Sequence, residues 1–508
     1  MRFSLLAIVL LSSAVLAGPS YAAGPRDLTV VVPDAIKTLE PCRATANDIG
    51  RIVQENIAET LTVVDPKTGE LSPRLATSWK QIDDNTWQFE LRQGVKFQDG
   101  SDFNAAAVAS TIARMMDPGR DADPATTCTT KQKYFGGIDL TTTAIDDHTV
   151  QIKSSKAAPV LPRLMTVVSI LSAATDPKTE DRNPVGTGPY KIASWPSDQE
   201  LDLTQFSDYW GTKPAAENVR FVYRSESAVA AAMVQTGEAD LAPYIAVQDA
   251  SSADTDIPYL DTDTAFLPLS VSIAPLNDVR VRKAIAMAID RQSLIGSVVS
   301  DKAELAKEIV LPIVDGYNPD IKQWPYDPDQ AKALLAAAKA DGVPVDAQIR
   351  LLARPGFMPN IDDIVAALTQ MFQAVGLNVK PQFIEGAGFN VAARKPWAAD
   401  RPPTITLQLH DNAIGDAGFS VFSKYDSQGI NSEIADPGVD KLIAQASSAT
   451  GADRTKLHQE IFRMVNEDIV ADVPLFHMVA YARVGARISF QPTSLTNNGL
   501  DLASITFK

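Results

Sequence analysis

Few side chains in this sequence have a type and a spacing that could support catalysis. The candidates are two cysteines and four histidines, Cys42, Cys128, His148, His410, His458 and His477. No two histidines have the spacing of a zinc-binding helix. There is neither a G-x-S-x-G nucleophile turn nor a phosphate-binding loop ending in lysine. We expect His458 on a solvated helix face and His477 in an apolar core. The pattern argues against a secreted hydrolase, and we expect no enzyme activity, no cofactor and no metal site.

Hydrogen-bonding side chains crowd together after a strand predicted at residues 405–409. His410, Asp411 and Asn412 follow this strand directly, and Asp416 comes four residues later. Ligand loops of α/β folds lie at the carboxyl ends of strands, so we expect a ligand contact here. The alternative is a surface loop closed by its own hydrogen bonds. Metal ligation by His410 with either aspartate would have too few ligands.

Further polar and aromatic residues are candidates for the walls of a binding site. They fall in three short stretches of the chain: Glu40 and Arg43; Lys131 and Tyr134; and Arg394, Trp397 and Tyr425. Arg394 or Lys131 would suit a carboxylate on the ligand, and arginine can bind a carboxylate through two parallel hydrogen bonds. Either side chain is equally compatible with a solvated charge.

The first 23 residues have the pattern of a cleavable signal peptide. Met1 and Arg2 precede an apolar run at residues 3–16, and Ser20-Tyr21-Ala22 is a small-x-small cleavage pattern. A buried N-terminal helix is the alternative. Export would place Cys42 and Cys128 in an oxidising compartment, where we expect a disulfide; two separate buried thiols remain possible.

Composition excludes several classes of partner. The chain has 62 acidic and 46 basic residues, a net charge of −16, which repels nucleic acid and anionic membrane surfaces. No later run approaches the ~20 apolar residues of a membrane span, so we expect no membrane insertion. A chain of 508 residues is too long for one core, and two lobes are expected.

Hydrophobic periodicity predicts a strand-rich first half and a second half that alternates helices and strands. Strands are predicted at residues 28–32 and 87–92. Helices are predicted at residues 49–61, 105–116, 228–236, 278–297, 329–340, 361–375, 436–446 and 453–469. Strands at residues 349–352 and 377–383 flank one of these helices. This order implies parallel pairing and an α/β lobe.

Seven strings along the chain resemble family 5 of the bacterial extracellular solute-binding proteins. They occur in the order of the family: SPRLATSW at residues 72–79, WQFELRQGVKFQDGSDF at 87–103, PVGTGPYK at 184–191, DYWG at 208–211, GEADL at 237–241, LNDVRVRKAIAMAID at 276–290 and DPGVDKL at 436–442. Glycines 94, 100, 186 and 188 within them are expected at turns that need a positive φ. We expect these strings to be structural and to lie outside the ligand site.

The resemblance implies a two-lobed α/β periplasmic-binding-protein fold of the class II, cluster C type, with an extra strand-rich subdomain in the first lobe. Lobe I would comprise residues 24–265 with 486–508, and lobe II residues 266–485. The hinge would lie near residues 266–270 and 478–485. Such a monomeric receptor would close over a small polar solute in the periplasm and deliver it to the membrane permease of an ABC importer.

The resemblance also bears on the ligand. Peptide-binding members have a tryptophan and then an aspartate for the ligand's amino group, and these positions correspond to His410 and Ala413 in this chain. The missing carboxylate argues against plain dipeptides. We therefore expect a short peptide or an amino-acid conjugate such as an opine. A metal chelate or a sugar is the alternative within the family, and an exported chaperone or sensor is the alternative outside it.

Overall fold

A computed structural model of the chain describes residues 24–44, 52, 55–122, 127–175, 182–496 and 499–508. The predicted signal peptide and most of the helix predicted at residues 49–61 lie outside these ranges. Twenty strands are described: β1 Asp27–Val32, β2 Thr62–Val64, β3 Leu71–Pro73, β4 Ala76–Asp83, β5 Thr86–Leu91, β6 Leu140–Asp146, β7 Thr149–Ser154, β8 Tyr190–Ser197, β9 Glu200–Gln205, β10 Asn218–Tyr223, β11 Leu241–Ile245, β12 Asp256–Pro268, β13 Glu304–Leu305, β14 Ile349–Ala353, β15 Val379–Phe383, β16 Thr404–Thr406, β17 Gln408–Asp411, β18 Asp472–Val484, β19 Ile488–Ser489 and β20 Thr506–Phe507.

Helices in the described ranges agree closely with the hydrophobic periodicity. They are α1 Pro41–Ala44, α2 Ala105–Met116, α3 Leu161–Leu164, α4 Ser227–Thr236, α5 Val279–Ala288, α6 Arg291–Leu294, α7 Pro328–Ala340, α8 Ile361–Ala374, α9 Gly386–Ala393, α10 Ala417–Lys424, α11 Pro437–Ala446 and α12 Gly451–Arg463. Two π-helical segments, Lys131–Phe135 and Met464–Ile469, are also described, together with 3₁₀ helices at Pro118–Ala122, Met165–Val167, Val247–Asp249 and Leu502–Ser504. No helix of the described ranges has the length and apolar content needed to cross a bilayer.

The longest sheet joins both halves of the chain. Its strand order is β17-β12-β18-β11-β1-β10-β9-β8, and β13 pairs with β18. β12 and β18 are antiparallel partners over most of their 13 residues. Tyr259 and Ala480 on these strands belong to one hydrophobic core, whereas Ala265 and Leu475 belong to another. The two strands therefore pass from one core to the other, as a two-lobed fold requires.

Each lobe carries a smaller sheet. An antiparallel sheet of order β4-β5-β7-β6 packs with α2 and forms the strand-rich subdomain expected in the first lobe. In the second half, β14 pairs in parallel with β15 on one side and β16 on the other. This confirms the α/β lobe that the strand and helix order predicts. The lobe boundaries given above stay a prediction.

Two predicted elements are each divided in the structure. The helix predicted at residues 278–297 ends at Ala288, because Ile289 is extended and the Asp290 side chain caps a new turn by accepting from the Ser293 amide. The strand predicted at 405–409 is two strands in different sheets, with β16 in the parallel sheet and β17 beside β12. The break between them places His410 beside β12, where it pairs with Thr264.

The glycines of the signature strings have two different roles. Gly94 and Gly100 have φ of +74° and +86°, as predicted. Gly186 and Gly188 do not have a positive φ, so the turn explanation is wrong for them. A Cβ on Gly188 would lie 2.6 Å from the carbonyl oxygen of Asn56, which makes close backbone approach the reason for glycine here.

Candidate functional site

We call the residues around Glu40–Arg43 and Lys131–Tyr134 the first wall of the candidate site. A disulfide links its two parts. Cys42 and Cys128 are bonded, with their Cα atoms 4.9 Å apart, which confirms the predicted pair. The bond ties the short helix α1 to the turn that precedes the π-helical segment Lys131–Phe135. Glu40, beside this bond, is almost fully buried and forms ion pairs with Arg43 at 3.7 Å and Arg120 at 3.5 Å. Two arginines therefore pair with the buried carboxylate of Glu40.

A small, partly open recess of about 30 Å³ lies against the disulfide. Glu40, Cys42, Thr130 and Ser169 are among its lining residues. The Ser169 hydroxyl is buried and has no hydrogen-bond partner among the described residues. The recess has room for only about one or two water molecules, so it is too small to hold a solute by itself.

Lys131 and Tyr134 lie on the π-helical segment, one turn apart. Lys131 is 4.0 Å from the exposed carboxylate of Asp139. The ring of Tyr134 packs on Phe419 with centroids 5.4 Å apart, and its hydroxyl is buried without a hydrogen-bond partner in the described part of the chain. Tyr134 thus brings a second unsatisfied hydroxyl to this wall.

We call the end of β17 and the loop that follows it, residues 410–416, the second wall. His410 is buried at its centre. Its Nε2 shares a 2.6 Å hydrogen bond with the Ser420 hydroxyl, and its ring stacks on Phe419. Burial, aided by the positive charge of Lys424, lowers the pKa of His410 to about 3. The ring is therefore a neutral imidazole at neutral pH, since protonating it here would bury an unpaired charge.

Asn412 and Asp416 close the loop that follows. The Asn412 amide donates to the carbonyl of Asp416 and to the Ser420 hydroxyl, both at 2.8 Å. Asp416 caps α10 by accepting from the Gly418 amide, and it binds both terminal nitrogens of Arg454 at 2.6 and 2.8 Å. These bonds keep the pKa of Asp416 low despite burial. Both side chains are committed to holding the loop's shape.

The two walls meet directly. Lys133 lies 3.4 Å from Asp411, and Nη1 of Arg163 on α3 donates to the carbonyl of Ile414 at 3.1 Å. Together with the ring contact of Phe419 on Tyr134, these bonds join the segment after Cys128 to the loop after β17. The structure therefore brings His410 and Asp411 of the second wall together with Tyr134 of the first.

The remaining predicted residues lie in different surroundings. Tyr425 is buried and donates to Asp472 at 2.7 Å, in the interior of the second lobe. Trp397 is half-buried under the guanidinium of Arg401. Arg394 is exposed after α9, and its charge helps burial to lower the pKa of Lys424 to about 8. The ligand roles of all these residues stay predictions.

Sequence reasoning missed Lys133, Arg163 and Phe419, which make the contacts between the walls. Lys133 could have been predicted, because it adjoins Tyr134 in the sequence. Arg163 lies in an apolar LPRL turn with no distinguishing pattern. The prediction that His458 lies on a solvated helix face is wrong, because the residue is only 1 % exposed. It packs against Gly316, and burial lowers its pKa to about 4.

Within the described ranges, no three histidine, cysteine, aspartate or glutamate side chains come close enough to hold an ion. The polar groups of the two walls are instead hydroxyls, an imidazole and paired charges. Such groups can orient a small polar molecule through hydrogen bonds.

Comparison with known proteins decides the family. Residues 70–424 match the model of the bacterial extracellular solute-binding proteins, family 5. The chain belongs to this family. Members of family 5 are receptors for solutes and not enzymes, and they deliver their solutes to ABC permeases.

Two relatives and one solved structure illustrate the range of family 5. Di/tripeptide-binding protein 2 of Pseudomonas aeruginosa is 26 % identical, over 95 % of this chain and 94 % of its own. Heme-binding protein A of Haemophilus influenzae is 26 % identical, over 82 % of this chain and 81 % of its own. The binding protein AgaA of A. tumefaciens R10, solved with agropinic acid, superposes with a TM-score of 0.75 and 22 % identity, covering 95 % of this chain and 100 % of its own.

Proposed function

We propose that this protein is the periplasmic receptor of an ABC importer and captures a small polar solute that carries a carboxylate. The observation that carries the proposal is the meeting of the two walls, where Lys133 lies 3.4 Å from Asp411 and Tyr134, whose hydroxyl is buried without a partner among the described residues, packs on Phe419. A solute bound between the walls would satisfy this hydroxyl. Direct contact between the walls favours a closing receptor over a chaperone, which needs an open apolar groove.

Unpaired cations support an acidic solute. No carboxylate lies within 4 Å of Arg354 or Arg394 in the described ranges, and Lys424 bonds only the amide oxygen of Gln408. Burial and the charge of Arg394 lower the pKa of Arg354, so the two guanidiniums are close enough to repel. A protein of net charge −16 that leaves such cations unpaired is suited to bind an anion beside them.

The second wall offers no free carboxylate to a ligand's ammonium group. Asp416 is paired with Arg454, Asp411 faces Lys133, and Ala413 carries no charge. Burying an ammonium without an anionic partner is costly. Amino-acid conjugates whose amine is modified therefore fit the wall better than plain dipeptides. The relative solved with agropinic acid makes this acid the first probe to test.

The experiment begins with exported protein that has been unfolded, stripped of ligand and refolded. Calorimetry would compare agropinic acid, a panel of di- and tripeptides, and nickel with histidine. We expect the acid to bind and plain dipeptides to bind poorly. Arg394→Met should weaken binding of the acid by about ten- to a hundredfold, from the loss of charge-assisted hydrogen bonds.

Arg26→Met is the matched control, because Arg26 is an exposed arginine that pairs with Glu217 far from the walls. It should leave binding unchanged. Tight binding of plain dipeptides, unaffected by Arg394→Met, would refute the acidic-conjugate proposal. Native mass spectrometry of freshly purified protein gives an independent test, since a co-purified neutral sugar or a metal chelate would equally contradict it.

A further inference from the structure

A small cluster where the two walls meet joins the two predicted lobes. It consists of the turn between β2 and β3, Arg163 on α3, and the backbone around Ile414, and we call it the clasp. Nη1 of Arg163 donates to two carbonyl oxygens at 3.1 Å each, that of Gly69 in the turn and that of Ile414 in the opposite wall. One guanidinium therefore binds both lobes through main-chain atoms.

The backbones in the clasp approach each other too closely for side chains. A Cβ on Gly69 would lie 2.5 Å from the carbonyl oxygen of Ile313, and a Cβ on Gly415 would lie 2.9 Å from Nη1 of Arg163. Ile313 and Gly415 belong to adjoining stretches of the second lobe, because the Asp315 amide donates to the Gly415 carbonyl at 3.1 Å. Glycine at position 69 therefore lets the main chains of the two lobes approach, and glycine at position 415 leaves room for the Arg163 side chain.

Apolar packing supports the same contact. Ile414 is 2 % exposed and belongs to the hydrophobic core built by Leu61, Leu164 and other residues before position 171. A second-lobe side chain is thus buried in the first-lobe core. Such burial is lost when the lobes separate, so it favours the closed arrangement.

The electrostatic surroundings explain why arginine is suited to this position. Asp416 and Asp315 both act on the charge of Arg163, while its own hydrogen bonds go to carbonyl oxygens. The guanidinium therefore carries no direct ion pair in the described structure. It is held by the partial charges of the main chain and by two nearby carboxylates of the second lobe.

We propose that Arg163 is a positioning residue: with Gly69 and Ile414 it clasps the lobes in the closed arrangement, and so raises solute affinity without touching the solute. The inference rests on the proposed function, in which closure accompanies binding. When only part of the free protein is binding-competent, its apparent affinity falls by that fraction. Contacts that favour closure before the solute arrives therefore tighten binding.

Small-angle X-ray scattering on ligand-stripped protein tests the clasp without any knowledge of the solute. Wild-type protein should have a radius of gyration near the ~23 Å of a compact chain of this length. Arg163→Met and Ile414→Ala should both increase it. Circular dichroism should show that Arg163→Met stays folded, whereas Ile414→Ala should also lower the melting temperature because it leaves a cavity in the core. Arg163→Lys, which retains the charge but not the two-carbonyl geometry, should be intermediate. Arg26→Met is the control and should match wild type.

The outcomes test the clasp proposal independently of the proposal about the solute. If Arg163→Met and wild type scatter identically, the clasp does not hold the lobes, whichever solute binds. If Arg163→Met opens the protein and agropinic acid fails to bind wild type, the clasp stands and the acidic solute is wrong. Where agropinic acid does bind, Arg163→Met should weaken it about tenfold or more.

Discussion

Replacing Asp416 by alanine tests whether the second wall is held by a buried ion pair. Asp416 and Arg454 are 2 % and 7 % exposed in their side chains, and two hydrogen bonds of 2.6 and 2.8 Å join them. The same carboxylate caps α10 through the Gly418 amide. Its removal leaves the guanidinium of Arg454 buried and uncompensated.

The size of the effect follows from these two losses. Breaking a buried pair by deleting one partner costs about 3 to 5 kcal/mol, and losing a helix cap costs about 1 kcal/mol. The two terms share one side chain, so we expect about 4 kcal/mol less free energy of unfolding for Asp416→Ala. Removing Arg454 as well, as methionine, should recover part of this loss because no charge is then left buried.

Urea unfolding followed by circular dichroism measures these free energies. Asp468→Ala is the matched control: Asp468 pairs with Arg463 at 3.0 Å, but both side chains are well exposed, and exposed pairs contribute under ~1 kcal/mol. Equal stability of Asp416→Ala and wild type would refute the reasoning. So would strictly additive costs in the double variant, because they would show that the two charges do not depend on each other.

Three further outcomes are expected. Reducing the Cys42–Cys128 bond, which spans 86 residues, should lower the free energy of unfolding by about 4 kcal/mol in the loop-entropy model, measured by denaturation with and without reductant. The lowered pKa values of His410 and His477, about 3 and 4, mean that the unfolded chain binds more protons below pH 6.5. Each histidine should therefore lower the free energy of unfolding by about 1.5 kcal/mol between pH 6.5 and 5. In His477→Gln the free energy of unfolding should fall less over this pH range, by the contribution of His477. Gly188→Ala should lower the melting temperature because its Cβ would meet a backbone oxygen, whereas a retained melting temperature would show that the backbone yields.

Local chemistry made much of the fold predictable. The helices ending before Gly237 and Gly376 follow directly from apolar spacing and a glycine of positive φ, and both are found as predicted. The end of the helix before Ile289 could not be predicted from the sequence, because the apolar periodicity continues through this residue. What divides the helix is a cap supplied by the Asp290 side chain, which competes with the helix for the local amides.

The candidate site was predictable only in its rough location. The expectation that loops after strands bind ligands singled out His410 and Asp411, and Tyr134 was a separate candidate whose nearness to them was not predicted. The commitment of Asn412 and Asp416 to the loop itself was not visible, because it depends on Ser420 and on Arg454, nearly 40 residues further along the chain. Long-range hydrogen bonds of this kind leave no periodic trace in a sequence.

The path of the chain through the large sheet has a consequence for how the protein forms. β1 pairs with β11, β11 pairs with β18, and the core around Leu28 also contains Ile488, Leu502 and Ile505. Asn56 bonds the main chain at Leu500 and Leu502. The first core therefore stays incomplete until the last residues have been synthesised. A chain with such distant contacts folds slowly, because the two ends must be brought together before this core can form.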